Sequence, residues 1–157
     1  MGTYEVKLTQ LARMRVAIGR EVGLEPEDLI VERMKLLIGG TVGDFPVRYL
    51  GLSRPVTKEE AAKGYRSYEC WATIPDDFNP VTYFETKEVE PGCYAVYRLA
   101  NPFANPAISI PNAWARLGEW VRATYPAFKS EGLPFFEEVV HEGSRVYMDF
   151  YHPLWKV

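Results

Sequence analysis

The same order of elements, strand, helix, strand, strand, is predicted twice along this sequence, and that repetition constrains the fold more than any other feature. Residues 4–22 alternate apolar and polar side chains as a strand does. Residues 26–38 carry an early proline, acids in the first turn and apolar side chains at helical spacing. Strands follow over 48–53 and 65–74, joined by a polar connector at 58–64. The first half is therefore predicted to be a βαββ module.

The second half repeats this order. Its predicted elements are strand residues from 82 to 99 broken at Glu90-Pro91-Gly92, a helix capped by Ser109 and ending near Tyr125, and strands over 133–140 and 145–151, the last ending at His152-Pro153. The sequence thus predicts an α+β fold of tandem duplicated βαββ modules with pseudo-two-fold symmetry, a mostly antiparallel sheet and one main helix per repeat. The repeats are expected to span residues 1–80 and 81–157 of a single domain, with a central ligand cleft at their seam.

Charge and hydropathy exclude several classes of partner. The 157-residue chain has a formal net charge of −3, and its 18 lysines and arginines are spread along the sequence. Since nucleic-acid-binding domains gather positive charge on one face, direct nucleic-acid binding is not predicted. The chain has no apolar run of about 18 residues and no signal-peptide pattern, so we expect no membrane association and a soluble, cytoplasmic protein.

The few cysteines and histidines give no sign of a disulfide, a metal or a cofactor. Cys70 and Cys93 lie far apart without a CxxC pair, and His141 and His152 are the only imidazoles. We expect both histidines to be surface or capping residues at strand ends. The chain also lacks a phosphate loop, GxGxxG, GxSxG and HExxH, so nucleotide cofactors and the common hydrolase mechanisms lack their required residues.

Aromatic residues make up 14% of the chain, more than a core of this size needs, so many rings are expected to line a surface or cavity. Two carboxylates, Glu137 and Glu138, interrupt the apolar strand at 134–140. Because neighbouring side chains on a strand face opposite ways, either both are hydrated on an edge strand or one is a cavity carboxylate. A carboxylate ringed by Tyr and Trp faces suits a flat, delocalised organic cation.

The strand at 65–74 has two different faces. The face predicted to lie in the core carries Tyr68, Cys70, Ala72 and Ile74. Glu69 and Trp71 lie on the other face, and Tyr147 lies on the equivalent face of the matching strand in the second repeat. Since pseudo-symmetry is expected to bring these faces together, Trp71 and Tyr147 are ligand candidates and Glu69 is a reserve carboxylate. On the second helix, Trp114 and Trp120 both lie on apolar rows that need large residues, and Trp120 is expected in the core.

Three blocks carry a family resemblance: Gly92–Arg98 (Gly-Cys-Tyr-Ala-Val-Tyr-Arg), Ile110–Trp120 and Pro134–Glu137. In order and spacing they resemble the GyrI-like effector-binding family, also found as the ligand domain of AraC-type and MerR-type multidrug regulators. The likeness covers about residues 89–157, whereas over 1–80 only the layout of elements and the strand Tyr68–Pro75 match. Two positions depart from the family: Val139 replaces a usual Tyr, and its Ile-Pro-aliphatic run is His152-Pro153-Leu154 here.

The resemblance implies a protein that binds hydrophobic, often cationic, compounds in a central cleft containing a glutamate, which aligns with Glu137. Together with the analysis of strand faces, it suggests these ligand-binding residues: Glu137, Trp71, Trp114, Tyr147, Tyr68, Tyr94 and Phe136. Because the first strand begins almost at the first residue, no helix-turn-helix is expected before the domain. The chain would then be a stand-alone member of the family, without direct DNA readout.

Three functions remain open. The first is a binding protein that sequesters a cationic drug or metabolite or presents it to a partner. The second is a hydrolase of strained electrophiles such as cyclopropane-bearing DNA alkylators, in which Glu137 activates water and Trp114 or a tyrosine holds the substrate. The third is a protein-interaction module like the gyrase-inhibiting members of the family, which contacts an enzyme through an acidic surface. None of the three requires a cofactor.

Overall fold

The computed structural model describes residues 5–79 and 84–157, so the predicted strand beginnings at Tyr4 and Thr82 lie outside the described residues. The strands are β1 Val6–Leu11, β2 Met14–Gly23, β3 Tyr49–Arg54, β4 Arg66–Thr73, β5 Glu85–Val89, β6 Gly92–Ala100, β7 Phe136–Glu142 and β8 Arg145–Lys156. The helices are α1 Pro26–Met34, continued by a π-helical turn at Lys35–Gly39, α2 Lys58–Ala62 and α3 Pro106–Thr124.

The chain divides into two compact units with the same internal topology. The first unit is Met14–Val89, and the second is Glu90–Val157 together with Met1–Arg13. Antiparallel strands pair in the order β3-β4-β2-β5 in the first unit and β7-β8-β6-β1 in the second. The two orders correspond strand for strand, and each unit has one main helix, α1 or α3. These findings confirm the predicted α+β class and the βαββ duplication.

The prediction of one long strand over residues 4–22 is wrong. This segment forms β1 and β2, and the exposed residues Ala12 and Arg13 separate them. Strand β1 pairs with β6 in the second unit, whereas β2 pairs with β4 and β5 in the first. A two-residue break keeps the period-two alternation in phase, so Val6 and Leu8 before it and Met14 and Val16 after it belong to one alternating series. The compact units therefore exchange their first strands relative to the sequence halves 1–80 and 81–157.

Two helices depart from the sequence prediction: α2 was not predicted, and α3 begins earlier than expected. The predicted polar connector contains the short helix α2, which has a capping box: Thr57 accepts from the Glu60 backbone N–H, and the Glu60 carboxylate accepts from the Thr57 backbone N–H. Helix α3 begins at Pro106 with Asn105 as its N-cap, so Ser109 lies inside the helix and is not the cap. Proline is favoured at this first position because its missing N–H would have no helical partner there.

Strand β8 runs to Lys156, so the predicted end at His152-Pro153 is also wrong. Pro153 lies opposite Tyr94, next to a register shift between Cys93 and Tyr94 on β6. A β-bulge of this kind accommodates proline, because the regular ladder that needs its N–H is interrupted there.

In the first unit, α1 packs on one face of the sheet. The buried core on this face consists of Ala17, Ile30, Met34, Ile38, Tyr68, Cys70, Ala72 and Ile74. A side chain at Gly19 would place its Cβ 2.6 Å from the Met34 sulfur, so this glycine permits the close approach of α1 to β2. The arrangement confirms the predicted core face of the strand at 65–74.

In the second unit, α3 covers the equivalent face. The buried core there consists of Cys93, Ala95, Ala113, Leu117, Val121, Met148, Phe150 and Leu154. Trp114 and Trp120 both pack against this cluster and are partly buried, so Trp120 adjoins the core and burial does not separate it from Trp114. Among residues 5–79 and 84–157, no helix is long and apolar enough to cross a membrane.

Candidate ligand-binding site

Strand β7 separates its two carboxylates. Glu137 lies opposite Phe150 on the face that packs against α3, and Glu138 lies opposite Asp149 on the other face. The Glu137 residue is only 8% exposed, whereas Glu138 is half-buried. This excludes an edge strand with both acids hydrated. A carboxylate on an apolar, helix-covered face interacts with cations more strongly than a hydrated one, because the local dielectric is lower.

Aromatic rings surround the cross-strand neighbour of Glu137. Trp114 meets Phe150 edge to face with ring centroids 5.1 Å apart, and Tyr97 stacks on Phe150 at 6.4 Å. Phe135, just before β7, lies 6.5 Å from Trp114. We call Tyr97, Trp114, Phe135 and Phe150 the α3-face aromatic group. Of the residues named on this face, only Glu137 and Trp114 were predicted as site residues.

The opposite face of the same sheet holds a second aromatic group. Phe136 stacks on Tyr151 with centroids 4.4 Å apart, and Tyr94 meets both rings edge to face at 5.7 and 5.9 Å. The Tyr94 hydroxyl is buried and has no hydrogen-bond partner among the described residues. Burial raises the pKa of Tyr94, so the group is a neutral donor and acceptor. A buried, unpaired hydroxyl is uncommon in folded proteins.

Next to this group, Arg98 engages Asp149 and Tyr147. Its guanidinium donates to both Asp149 carboxylate oxygens at 2.7 and 2.9 Å and to Glu142 at 2.8 Å. It also lies 5.1 Å from the centre of the Tyr147 ring. The hydrogen bond to Asp149 is the main reason that the pKa of Arg98 is raised. The predicted ligand residue Tyr147 is therefore already in contact with a cation of its own unit.

In the first unit, Trp71 and Tyr68 lie on opposite faces of β4. Trp71 is 2% exposed, and its indole N–H donates to Glu69 at 2.9 Å. Tyr68 lies in the core under α1, where its hydroxyl occupies the space that a side chain at Gly51 would need. A residue in this position supports helix packing.

The structure thus distributes the seven predicted ligand residues over several faces. Glu137 and Trp114 share the α3 face of the second unit, Tyr94, Phe136 and Tyr147 share its opposite face, and Tyr68 and Trp71 occupy the two faces of β4. Phe150 and Arg98 were not predicted from the sequence. Phe150 could have been found only from the register of β7 against β8, since that register places it beside Glu137.

One of the two histidines differs from its prediction. His141 is exposed, as expected, but His152 is buried between the rings of Phe128 and Phe135, at centroid distances of 5.0 and 4.7 Å. The reason is that β8 continues past His152, so this residue lies within the strand and not at its end. Within the described part of the chain, no three His, Cys, Asp or Glu side chains are arranged to hold a metal ion.

An α+β domain of duplicated βαββ units is also found in several solved structures. The C-terminal domain of EcmrR has a TM-score of 0.71 and 12% identity, covering 98% of this chain and 99% of that one. SAV2435, solved bound to tetraphenylphosphonium, has a TM-score of 0.60 and 17% identity, covering 96% and 93%. A hydrolase from Listeria innocua has a TM-score of 0.54 and 7% identity, covering 96% and 92%. No protein-family model matches the chain, and no curated protein matches its sequence. At these identities the likeness establishes the fold.

Proposed function

We propose that this protein binds a hydrophobic organic cation, with Glu137 supplying the negative charge and the α3-face aromatic group supplying the apolar walls. The observation that carries the proposal is the placement of the buried Glu137 opposite Phe150, whose ring contacts Trp114 at 5.1 Å. A delocalised cation loses little hydration on entering such a site. Each ring adds about 0.5–2 kcal/mol of cation–π attraction.

The surroundings of Glu137 support access from solvent. Phe135 and Val139 flank Glu137 along the chain and are exposed although both are apolar. Because β7 alternates its faces, Val139 lies on the same side of the sheet as Glu137, and Phe135 reaches that side through its contact with Trp114. A buried carboxylate flanked by exposed apolar side chains favours an amphiphilic ligand over a small hydrated ion.

A protein with this fold, SAV2435, has been solved with the lipophilic cation tetraphenylphosphonium, which supports the proposed ligand class. The experiment is a calorimetric titration of wild type and Glu137→Gln with N-methylquinolinium and with neutral quinoline at pH 7.5. We expect the substitution to weaken cation binding by about ten- to a hundredfold and quinoline binding by less than about threefold. An equal loss for both ligands would overturn the electrostatic role of Glu137.

A hydrolase is the second candidate, favoured by a carboxylate on the same sheet face as Trp114 and by the hydrolase among the structures of the same fold. In that reaction Glu137 takes a proton from water, and the water oxygen bonds to the strained carbon of a cyclopropane-bearing electrophile. The breaking carbon–carbon bond leaves its electron pair on the substrate, which takes the proton from Glu137 and so regenerates the carboxylate. Disappearance of such a substrate over many turnovers, lost in Glu137→Gln, distinguishes this function from binding alone.

A further inference from the structure

We infer that Trp71 and Glu69 form a second cation-binding site, in the first unit, which the protein keeps filled with its own Arg54 and Lys87. This site shares no residue with the proposed Glu137 site and goes beyond that function. The ligand class that it takes is an organic cation able to displace these two side chains.

The geometry is that of an occupied cation site. The Lys87 ammonium lies 5.1 Å from the centre of the Trp71 ring, and the Arg54 guanidinium carbon lies 5.8 Å from it. The Arg54 Nε is 3.2 Å from the same Glu69 oxygen that accepts from the Trp71 indole N–H at 2.9 Å. A ring face and a carboxylate that together attract two cations have the chemistry of a cation receptor.

The strand register explains how three distant segments meet. On β4, Trp71 lies opposite Leu50 of β3, and Arg54 follows on β3 with its side chain on the same face. Lys87 enters from β5, where it lies opposite Val16 of β2. The receptor residues therefore come from β4, and the two cations come from other strands of the same unit.

The receptor is fixed, whereas the two cations are replaceable. Trp71 is 2% exposed and the Glu69 side chain 15% exposed, but the Arg54 side chain is 38% exposed and Lys87 is exposed. Both long side chains can swing their charged ends into water while their apolar stems stay near the sheet. The Lys87 ammonium is displaced from the Trp71 ring more easily than the Arg54 guanidinium, because a compact ammonium is strongly hydrated. Lys87 thus decides which ligands enter: a delocalised or quaternary cation displaces it, and a hydrated ammonium does not.

The test uses Glu137→Gln as the background, so that cation binding at the Glu137 site is weakened and differences among the added variants report the first-unit site. N-methylquinolinium is titrated by calorimetry into this variant with and without Lys87→Met, which keeps the apolar stem and removes the charge. Lys63→Met is the matched control, because Lys63 lies 5.7 Å over the Tyr65 ring elsewhere in the same unit. We expect Lys87→Met to tighten binding by about two- to fivefold and Lys63→Met to leave it unchanged.

The gain in affinity should disappear when either Trp71→Phe or Glu69→Gln is added to Lys87→Met. Urea unfolding of each variant establishes that the variant is folded. The inference is overturned if Lys87→Met and Lys63→Met bind alike, or if the gain survives in a folded Glu69→Gln variant. Neither result affects the proposed function, which is judged by the difference between wild type and Glu137→Gln.

Discussion

Arg98 holds Asp149 through two parallel hydrogen bonds, so the charge of a nearly fully buried carboxylate is neutralised inside the second unit. We expect Arg98→Met to lower the free energy of unfolding by about 2–3 kcal/mol, because it leaves Asp149 buried without its partner. In the double variant Arg98→Met, Asp149→Asn, part of that loss should be recovered. Urea unfolding of the four proteins in this cycle measures the coupling, and strict additivity would contradict the pairing.

The Tyr94 hydroxyl should stabilise nothing in the protein without ligand, because it is buried without a partner among the described residues. Tyr94→Phe keeps the ring contacts with Phe136 and Tyr151 and removes only this group. We expect the free energy of unfolding to stay the same or to rise by about 1 kcal/mol. Urea unfolding checks this, and a loss above about 1 kcal/mol would show that the hydroxyl makes a stabilising hydrogen bond in solution.

His152 should make stability depend on pH. Burial is the main cause that lowers its pKa, and Arg122 acts in the same direction. The unfolded chain therefore binds the proton more readily. The stabilising contribution of neutral His152 is complete above the unfolded pKa of about 6.5 and is lost as pH falls toward the folded value.

Urea unfolding of wild type at pH 7.5, 6.5 and 5.5 should show this loss, with a slope of at most about 1.4 kcal/mol per pH unit from one histidine. His152→Gln should flatten the profile in this range. His141→Gln is the control, since His141 is exposed, and should leave the slope unchanged. Equal slopes in wild type and His152→Gln would contradict the assignment.

Both cysteines should be unreactive while the protein is folded. Burial raises the pKa of the Cys70 thiol to about 12 and also raises the pKa of Cys93. Since the thiolate is the reactive form, iodoacetamide at pH 8 should label neither residue in native protein and both in urea. Mass spectrometry of the peptides checks this, and rapid native labelling of Cys70 would show that its surroundings open.

The alternation of side chains along single strands could be predicted from the sequence. It assigned Tyr68 to the core side of β4 and Trp71 to the other side, and it separated Glu137 from Glu138, because a strand has a period of two whatever its neighbours are. The division of residues 4–22 into β1 and β2 could not be predicted, since the break preserves that period.

Contacts between strands required the pairing register. Phe150 lies beside Glu137 only because β7 and β8 pair in one particular alignment. Arg54 and Lys87 reach Trp71 from strands that are distant in the sequence, and nothing local to these residues indicates their convergence. Sequence patterns therefore identified the candidate carboxylate and several rings, but not the side chains that surround them.

The most direct test of the central claim compares Glu137→Gln with Glu138→Gln, two identical chemical changes at adjacent residues on opposite faces of β7. Calorimetric titration with N-methylquinolinium is predicted to show a loss of about ten- to a hundredfold for Glu137→Gln and of less than about threefold for Glu138→Gln. A larger loss for Glu138→Gln, or equal losses for both variants, would contradict a cation site on the α3 face.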